Sequence, residues 1–340
     1  MGELSRRDFL KATATSPFLF ISGRHTNLSR SAGLPQPAPE FPSYLKLYRE
    51  GELKKRAEEL KKIYESCTLC PRDCRVDRTN GELGKCRASD KVKISNAFPH
   101  FGEEPPLVGI KGSGTIFFSN CSLRCLYCQN YEISINGEGQ EISDEQLAAT
   151  MTAVQKLGCH NINLVTPTHY VPNIVNGLLY AIPAGLKIPL VYNTGGYDRV
   201  ETLRFLDGVI DIYMPDFKYW EPEKSGKYSS EAYNYPHYAR EAHREMQRQV
   251  GILLTDGRGI AVQGLIIRHL VLPNRIAGSR QVLKFIAEEL SKDSYVNVMR
   301  QYRPEHEAPK YKELNRRITN KEFTEAMAWA REFGLHRFAF

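Results

Sequence analysis

Hydrophobic residues recur along this chain in two rhythms. From Leu53, the segment LKKRAEELKKIY sets Leu53, Ala57, Leu60 and Tyr64 at helical spacing with charges between them, which predicts an amphipathic surface helix. Past residue 110, short apolar runs alternate with amphipathic stretches. SGTIFF (113–118) predicts a strand; the next helix opens on a capping box at Ser143 and Gln146, repeats Leu147, Met151, Val154 and Leu157, and stops at Gly158. Strand NINLV (161–165), helix PNIVNGLLYAI, strand IPLVYN (188–193), helix RVETLRFL and strand GVIDIYM (208–214) follow. GLIIRHLVL (264–272), helix SRQVLKFIAEEL, strand SYVNVM (294–299) and a capped helix from Thr319 complete the series. Buried β-branched runs separated by helices predict an α/β fold with a parallel sheet. About six such units predict a partial or full (β/α) barrel, with its chemistry at the C-terminal ends of the strands.

Punctuation divides the chain. GLPQPAPEFP (33–42) holds four prolines in ten residues and predicts a linker. The expected layout is a signal and linker over 1–34, a helix with a cysteine-rich segment over 35–100, and a barrel over 101–340. SRRDFLK (Ser5 to Lys11), followed by the modestly apolar ATATSPFLFIS, resembles a twin-arginine export signal; the alternative is a basic N-terminal arm, since Pro17 interrupts the apolar stretch. Cofactor assembly in the cytoplasm, with or without export by that route, is the expected localisation.

Composition narrows the class. A hydrophobic fraction of 41% with 25% charged residues fits a globular chain with a real core. No apolar run reaches the roughly 18 residues of a spanning helix. Of the net charge of +7, residues 1–34 carry five Lys and Arg against two acids, so residues 35–340 hold only +4, a weak case for nucleic acid.

The eight cysteines change the picture more. Cys121, Cys125 and Cys128 stand in NCSLRCLYCQN directly after the first predicted parallel strand. Thiolates are soft ligands that hold iron–sulfur clusters, and three of them on a four-iron cube leave one iron open for a substrate or cosubstrate. Structural zinc fits less well, because three ligands do not close a structural zinc site. Upstream, Cys67, Cys70, Cys74 and Cys86 supply four thiolates, enough for a structural zinc or for every corner of a second cluster. Cys159 stands alone after a helix and is expected in the core.

The C-x3-C-x2-C spacing, with Tyr127 just before the last cysteine, resembles the radical S-adenosylmethionine (radical SAM) enzymes. That resemblance implies a 4Fe–4S cluster whose fourth iron is chelated by S-adenosylmethionine. HFGEEPPLVGIKGSGTIFFSNCSLRCLYCQN, LVTPTHYVP, YNTGGYD and DIYMPDFKYW narrow it to PflX-like relatives of pyruvate formate-lyase activating enzyme. The family then implies contacts to S-adenosylmethionine from the Tyr127 backbone and from the Asp-x-Lys pair Asp216 and Lys218, which could equally form a structural ion pair, with Asn130 in the same cofactor set. Asn193, at the end of its strand before Gly195 and Gly196, is a ligand contact or else part of a plain turn. Thr166 and Thr168 stand where the family keeps a glycine-glycine-acid motif, from which TPTH departs. Arg268 would pair with the cosubstrate carboxylate in a bidentate contact, or else form a structural ion pair with Asp216. His100 and His169 are candidates for the substrate side, against the plainer reading of packed histidines.

The expected activity is therefore reductive cleavage of S-adenosylmethionine to a 5′-deoxyadenosyl radical that abstracts hydrogen from a substrate, with a glycyl-radical protein as one candidate. An electron donor of flavodoxin or ferredoxin type is the expected partner. The rival expectation is an iron–sulfur electron-transfer or assembly protein that does not cleave S-adenosylmethionine.

Overall fold

The computed structural model describes residues 41–339. Strand β1 (Val92–His100) folds back antiparallel on β2 (Ser113–Phe118), and β3 (Gln140–Ile142) pairs with the outer side of β1. From β2 the neighbours turn parallel: β4 (Ile162–Val165), β5 (Leu190–Thr194) and β6 (Ile212–Pro215). The two-residue β7 (Leu254–Thr255) lies antiparallel on the start of β8 (Ala261–Leu270), which continues the parallel run into β9 (Tyr295–Met299) and β10 (Arg337–Phe338). The order β10-β9-β8-β6-β5-β4-β2-β1-β3 ends in two unpaired edges, so the α/β barrel is partial.

Strand alternation splits this sheet into two environments. On β5, Leu190 and Tyr192 pack outward with Ile162 and Leu164 of β4 into the main core, beneath the helices Asp144–Lys156 and Val171–Ala181. Val191 points the other way and joins Ile212, Met214, Ile266, Leu107, Leu253 and Ala261 in a second apolar cluster. One step further along the same face, alternation delivers Asn193, Asp216 and Arg268. The inner cluster is thus a hydrophobic floor, and the polar site stands on it at the C-terminal ends of the strands.

Local signals explain most element boundaries. Ser143 and Gln146 form the predicted capping box, and so do Thr319 and Glu322 before the helix Asn320–Glu332. Leu157, expected in the apolar stripe, caps the helix end and lies largely in solvent. The strand expected over 208–214 begins only at Ile212. Gly208 takes a left-handed φ of 73°, and the Asp211 carboxylate accepts the Leu190 and Ser43 amide hydrogens, each at 3.0 Å, so the chain turns there. The GLIIRHLVL strand departs in the opposite sense, starting early at Ala261 and ending at Leu270, which sets Arg268 near the end of its strand.

The cysteine-rich segment shares the barrel's core. Leu53, Ala57 and Leu60 of the helix Glu52–Lys62 are buried, and the following Tyr64 hydroxyl donates to Asn173 Oδ1 at 2.5 Å. The boundary drawn at residue 100 falls at the end of β1, inside an antiparallel pair. The twin-arginine stretch lies outside the described residues. Among those described, no helix is long and apolar enough to cross a membrane.

Candidate active site

The strand ends converge on a cavity of about 360 Å³. Its wall is built from Phe117 after β2's midpoint, Val165 and Thr166 at β4, Asn193 and Thr194 at β5, Asp216 after β6, Arg268 and Leu270 at β8, and Met299 at β9. Neighbouring strands stand roughly 4.8 Å apart, so strands this far separated in the sheet line one cavity only if the sheet curves around it. Cys121, Cys125 and Cys128 open into this space from the loop that follows β2.

The loop is held by its neighbours. Asn120 and Arg124 take left-handed φ values of 74° and 50°, which turn the backbone so that successive cysteines face inward. Ser229 Oγ donates to Cys125 Sγ at 3.0 Å, and Cys128 Sγ lies 3.0 Å from Ser134 Oγ. Burial pushes the Cys125 thiol up to about 12, although the Lys218 ammonium beside it works against that shift. Burial also raises Cys128. Thiols in such a place ionise when a bound cation supplies the missing positive charge, as iron does. The donor set and its setting therefore fit an iron–sulfur cluster. Among the described residues, no three His, Cys, Asp or Glu side chains close around a single ion, and thiolates that each bind a different iron need no such point.

A hydrogen-bonded ion network crosses the cavity. Lys218 Nζ lies 2.6 Å from Asp216 Oδ2, and Arg268 Nε lies 2.8 Å from Asp216 Oδ1. Arg268 Nη2 donates to Asn193 Oδ1 at 2.6 Å. Burial works against the Asp216 carboxylate, yet Arg268 and Lys218 together hold it below the usual carboxylate range. The ion pair between Asp216 and Arg268, one of the two roles expected of that arginine, is formed.

Other candidates fall differently. Tyr127 is buried and, with the exposed Asn130, lines the cavity. Thr166 sits in the wall at φ 60°, a strained position for a β-branched residue, with its amide bonded to the Asn193 carbonyl at 2.8 Å. That turn sends Thr168 out of the site: its hydroxyl donates to Asp198 Oδ1 at 2.7 Å in a buried network with Thr194 and Tyr192. His169 is a packed residue, its Nε2 bonded to the Ser119 carbonyl at 2.8 Å and its pKa pushed by burial down to about 3. His100 does line the cavity.

The upstream thiols gather in a small loop. Cys70 and Cys86 are raised by burial, with the other thiols of the set adding to the shift. The Lys85 amide donates to Cys74 Sγ at 3.4 Å, and a Cβ on Gly84 would stand 3.0 Å from that sulfur. Cys159, as expected, is buried in the core.

One residue of this loop escaped the sequence reading. Arg72 donates from Nε to the Ser122 carbonyl at 2.9 Å, from Nη1 to Ser230 at 2.7 Å, and from Nη2 to Ser229 at 3.0 Å and Leu123 at 3.5 Å. It clamps the cavity's cysteine loop to the turn that carries Ser229, with the Tyr197 ring 5.3 Å from its guanidinium carbon. Arg72→Ala is expected to lower iron retained after anaerobic reconstitution about 10–100-fold at limiting iron, the usual cost of losing an outer support. Arg72→Lys should recover little, since a point charge cannot span four carbonyls; full iron retention in Arg72→Ala would deny the clamp.

Three comparisons bear on this geometry. Residues 115–242 match the radical SAM superfamily. An uncharacterized protein of Methanocaldococcus jannaschii is 33% identical over 289 residues, covering 82% of this chain and 78% of that protein. The crystal structure of methylornithine synthase (PylB) shares 14% identity over 87% of this chain and 85% of that one, with a TM-score of 0.41, and carries no argument about the reaction. The superfamily match begins inside β2, the strand that delivers the three cysteines, and with a relative so similar along most of its length the chain belongs to the radical SAM superfamily.

Proposed function

We propose that this chain cleaves S-adenosylmethionine reductively and that it is a PflX-like relative of pyruvate formate-lyase activating enzyme. Superfamily membership implies a 4Fe–4S cluster and S-adenosylmethionine. Cys121, Cys125 and Cys128 would hold the cluster; Tyr127, Asn130, Thr166, Asn193, Asp216 and Lys218 would surround the cosubstrate. Bound there, the pair supplies a 5′-deoxyadenosyl radical for hydrogen abstraction.

The observation that carries this reading is the placement of three thiols and the Lys218–Asp216–Arg268 network around one cavity at the strand ends. The protein's own work there is positional. Asp216 fixes Lys218 and Arg268, Arg268 fixes Asn193, and the apolar floor below keeps water from the inner side. Glycyl-radical activation of a protein is the finer proposal, supported by the shared motifs. An electron donor of flavodoxin or ferredoxin type would supply the electron, and the Cys67, Cys70, Cys74 and Cys86 loop would carry a second metal or cluster.

Anaerobic reconstitution, reduction with S-adenosylmethionine present and quantification of 5′-deoxyadenosine test this directly. Product above the no-enzyme control is expected. An intact, reducible cluster that yields none would shift the assignment to iron–sulfur electron transfer or assembly.

A further inference from the structure

The network across the cavity continues past Arg268. Arg268 Nη1 lies 3.7 Å from Glu103 Oε2, and Glu103 Oε1 lies 3.2 Å from His100 Nδ1. Lys218 feels the field of Cys125, so its end of the network faces the thiols. His100 and Glu103 occupy the opposite end. They arrive from the end of β1 and the turn behind it, outside every residue assigned to the cosubstrate. The rings of Phe98 and Phe117 flank His100, with centroids 5.8 and 6.2 Å away, and Phe117, Leu270 and Met299 give this part of the cavity an apolar wall.

Glu103 is under-compensated. Its side chain is 9% exposed and lines the cavity, yet Oε2 has no hydrogen bond, because Arg268 is committed to Asp216 and Asn193 and stops 3.7 Å away. Next to it, Glu104 Oε2 is buried without a partner, while Oε1 accepts from Asn297 at 2.8 Å. Asp216, Glu104 and Glu103 all act electrostatically on Arg268. Asp216, Glu103 and Glu104 thus stand around Arg268 and Lys218, with the His100 ring on the far side of Glu103. A carboxylate largely withdrawn from water whose ion pair is a long one at 3.7 Å is only partly compensated, and a fold that keeps one at a cavity wall leaves room for a closer cation.

We propose that the His100–Glu103 end of the cavity is the substrate subsite and that it takes an alkylammonium group, free or carried on a peptide side chain. Glu103 is its counter-ion, and Phe117, Leu270 and Met299 pack against its stem. This rests on the proposed function only in that the other end of the cavity holds the cofactors.

Calorimetric titration of the reconstituted full chain with S-adenosylmethionine present tests it. The probes are pentylamine and Nα-acetyl-lysine N-methylamide, against pentan-1-ol and pentanoate. At least one amine should bind about tenfold or more tighter than the alcohol, as a charge-assisted contact requires, and pentanoate should not bind. Preference between the two amines distinguishes a free amine from a peptide residue. Glu103→Gln, with its iron content checked, should erase the advantage of the amine over the alcohol. Equal binding of amine and alcohol, no binding of either amine, or an advantage that survives Glu103→Gln overturns the proposal. The wild-type probe series decides even if the variant misfolds. A separate S-adenosylmethionine titration of the same protein keeps the two readings apart: amine binding without cosubstrate binding would sink the cofactor assignment and leave the subsite standing.

Discussion

Cys125→Ala is expected to bring 5′-deoxyadenosine down to the no-enzyme level. Cys125 is the middle thiol of the trio proposed to hold the cluster, 7% exposed, hydrogen-bonded by Ser229 and beside the Lys218 ammonium. Alanine removes a ligand rather than a support, so the loss should exceed the roughly 10–100-fold cost of deleting an outer contact. The iron-dependent absorption of the reconstituted protein should fall with the product. Cys159→Ala supplies the comparison, because Cys159 lies in the core on the outer face of the sheet. Ser229→Ala should fall between the two, since it removes one hydrogen bond to sulfur and leaves the thiolate in place. Chromatographic quantification of product against iron per chain separates these outcomes. Full activity in Cys125→Ala would remove the trio from the chemistry.

What was legible in the sequence divides along physical lines. Elements defined by local signals were read well: SGTIFF is β2 to the residue, and both capping boxes form. Boundaries set by distant partners were not. GVIDIYM looks like a strand throughout, but Asp211 spends its carboxylate on two backbone amides and delays the strand to Ile212. The cysteine trio was visible because its spacing is local. The direction Thr168 takes was not legible, because the left-handed turn at Thr166 redirects the chain and no residue type there announces a positive φ. Arg72 could not be read at all: its four acceptors are carbonyls, which any residue carries, in two segments far along the chain. Glu103 stood in a recognised motif, yet the length of its ion pair becomes apparent only once Arg268 is seen to be committed to Asp216.

Asp216→Ala is expected to destabilise the fold by about 3–5 kcal/mol, because it leaves the Lys218 and Arg268 charges buried without their counter-ion. For a chain of 340 residues that corresponds to a fall in Tm of about 4–7 °C, measured by calorimetry at one scan rate. Asp216 is held below the ordinary carboxylate pKa in the folded state, so its stabilising contribution is present above that ordinary value and is lost as pH falls through the depressed one. The gap between wild type and variant should therefore be full at neutral pH and shrink below roughly pH 4. Replacing both partners separates the ion pair from packing. In Asp216→Ala/Arg268→Met the Arg268 charge is gone and the Lys218 ammonium and Glu103 carboxylate, opposite in sign, are left behind, so the double variant should recover part of what the single one loses, because much of the cost lies in the stranded cation rather than in the absent pair. If the double variant is instead less stable than the single one by the full cost of Arg268→Met alone, the two side chains act independently, and the 2.8 Å contact contributes nothing to holding the strand ends around the cavity.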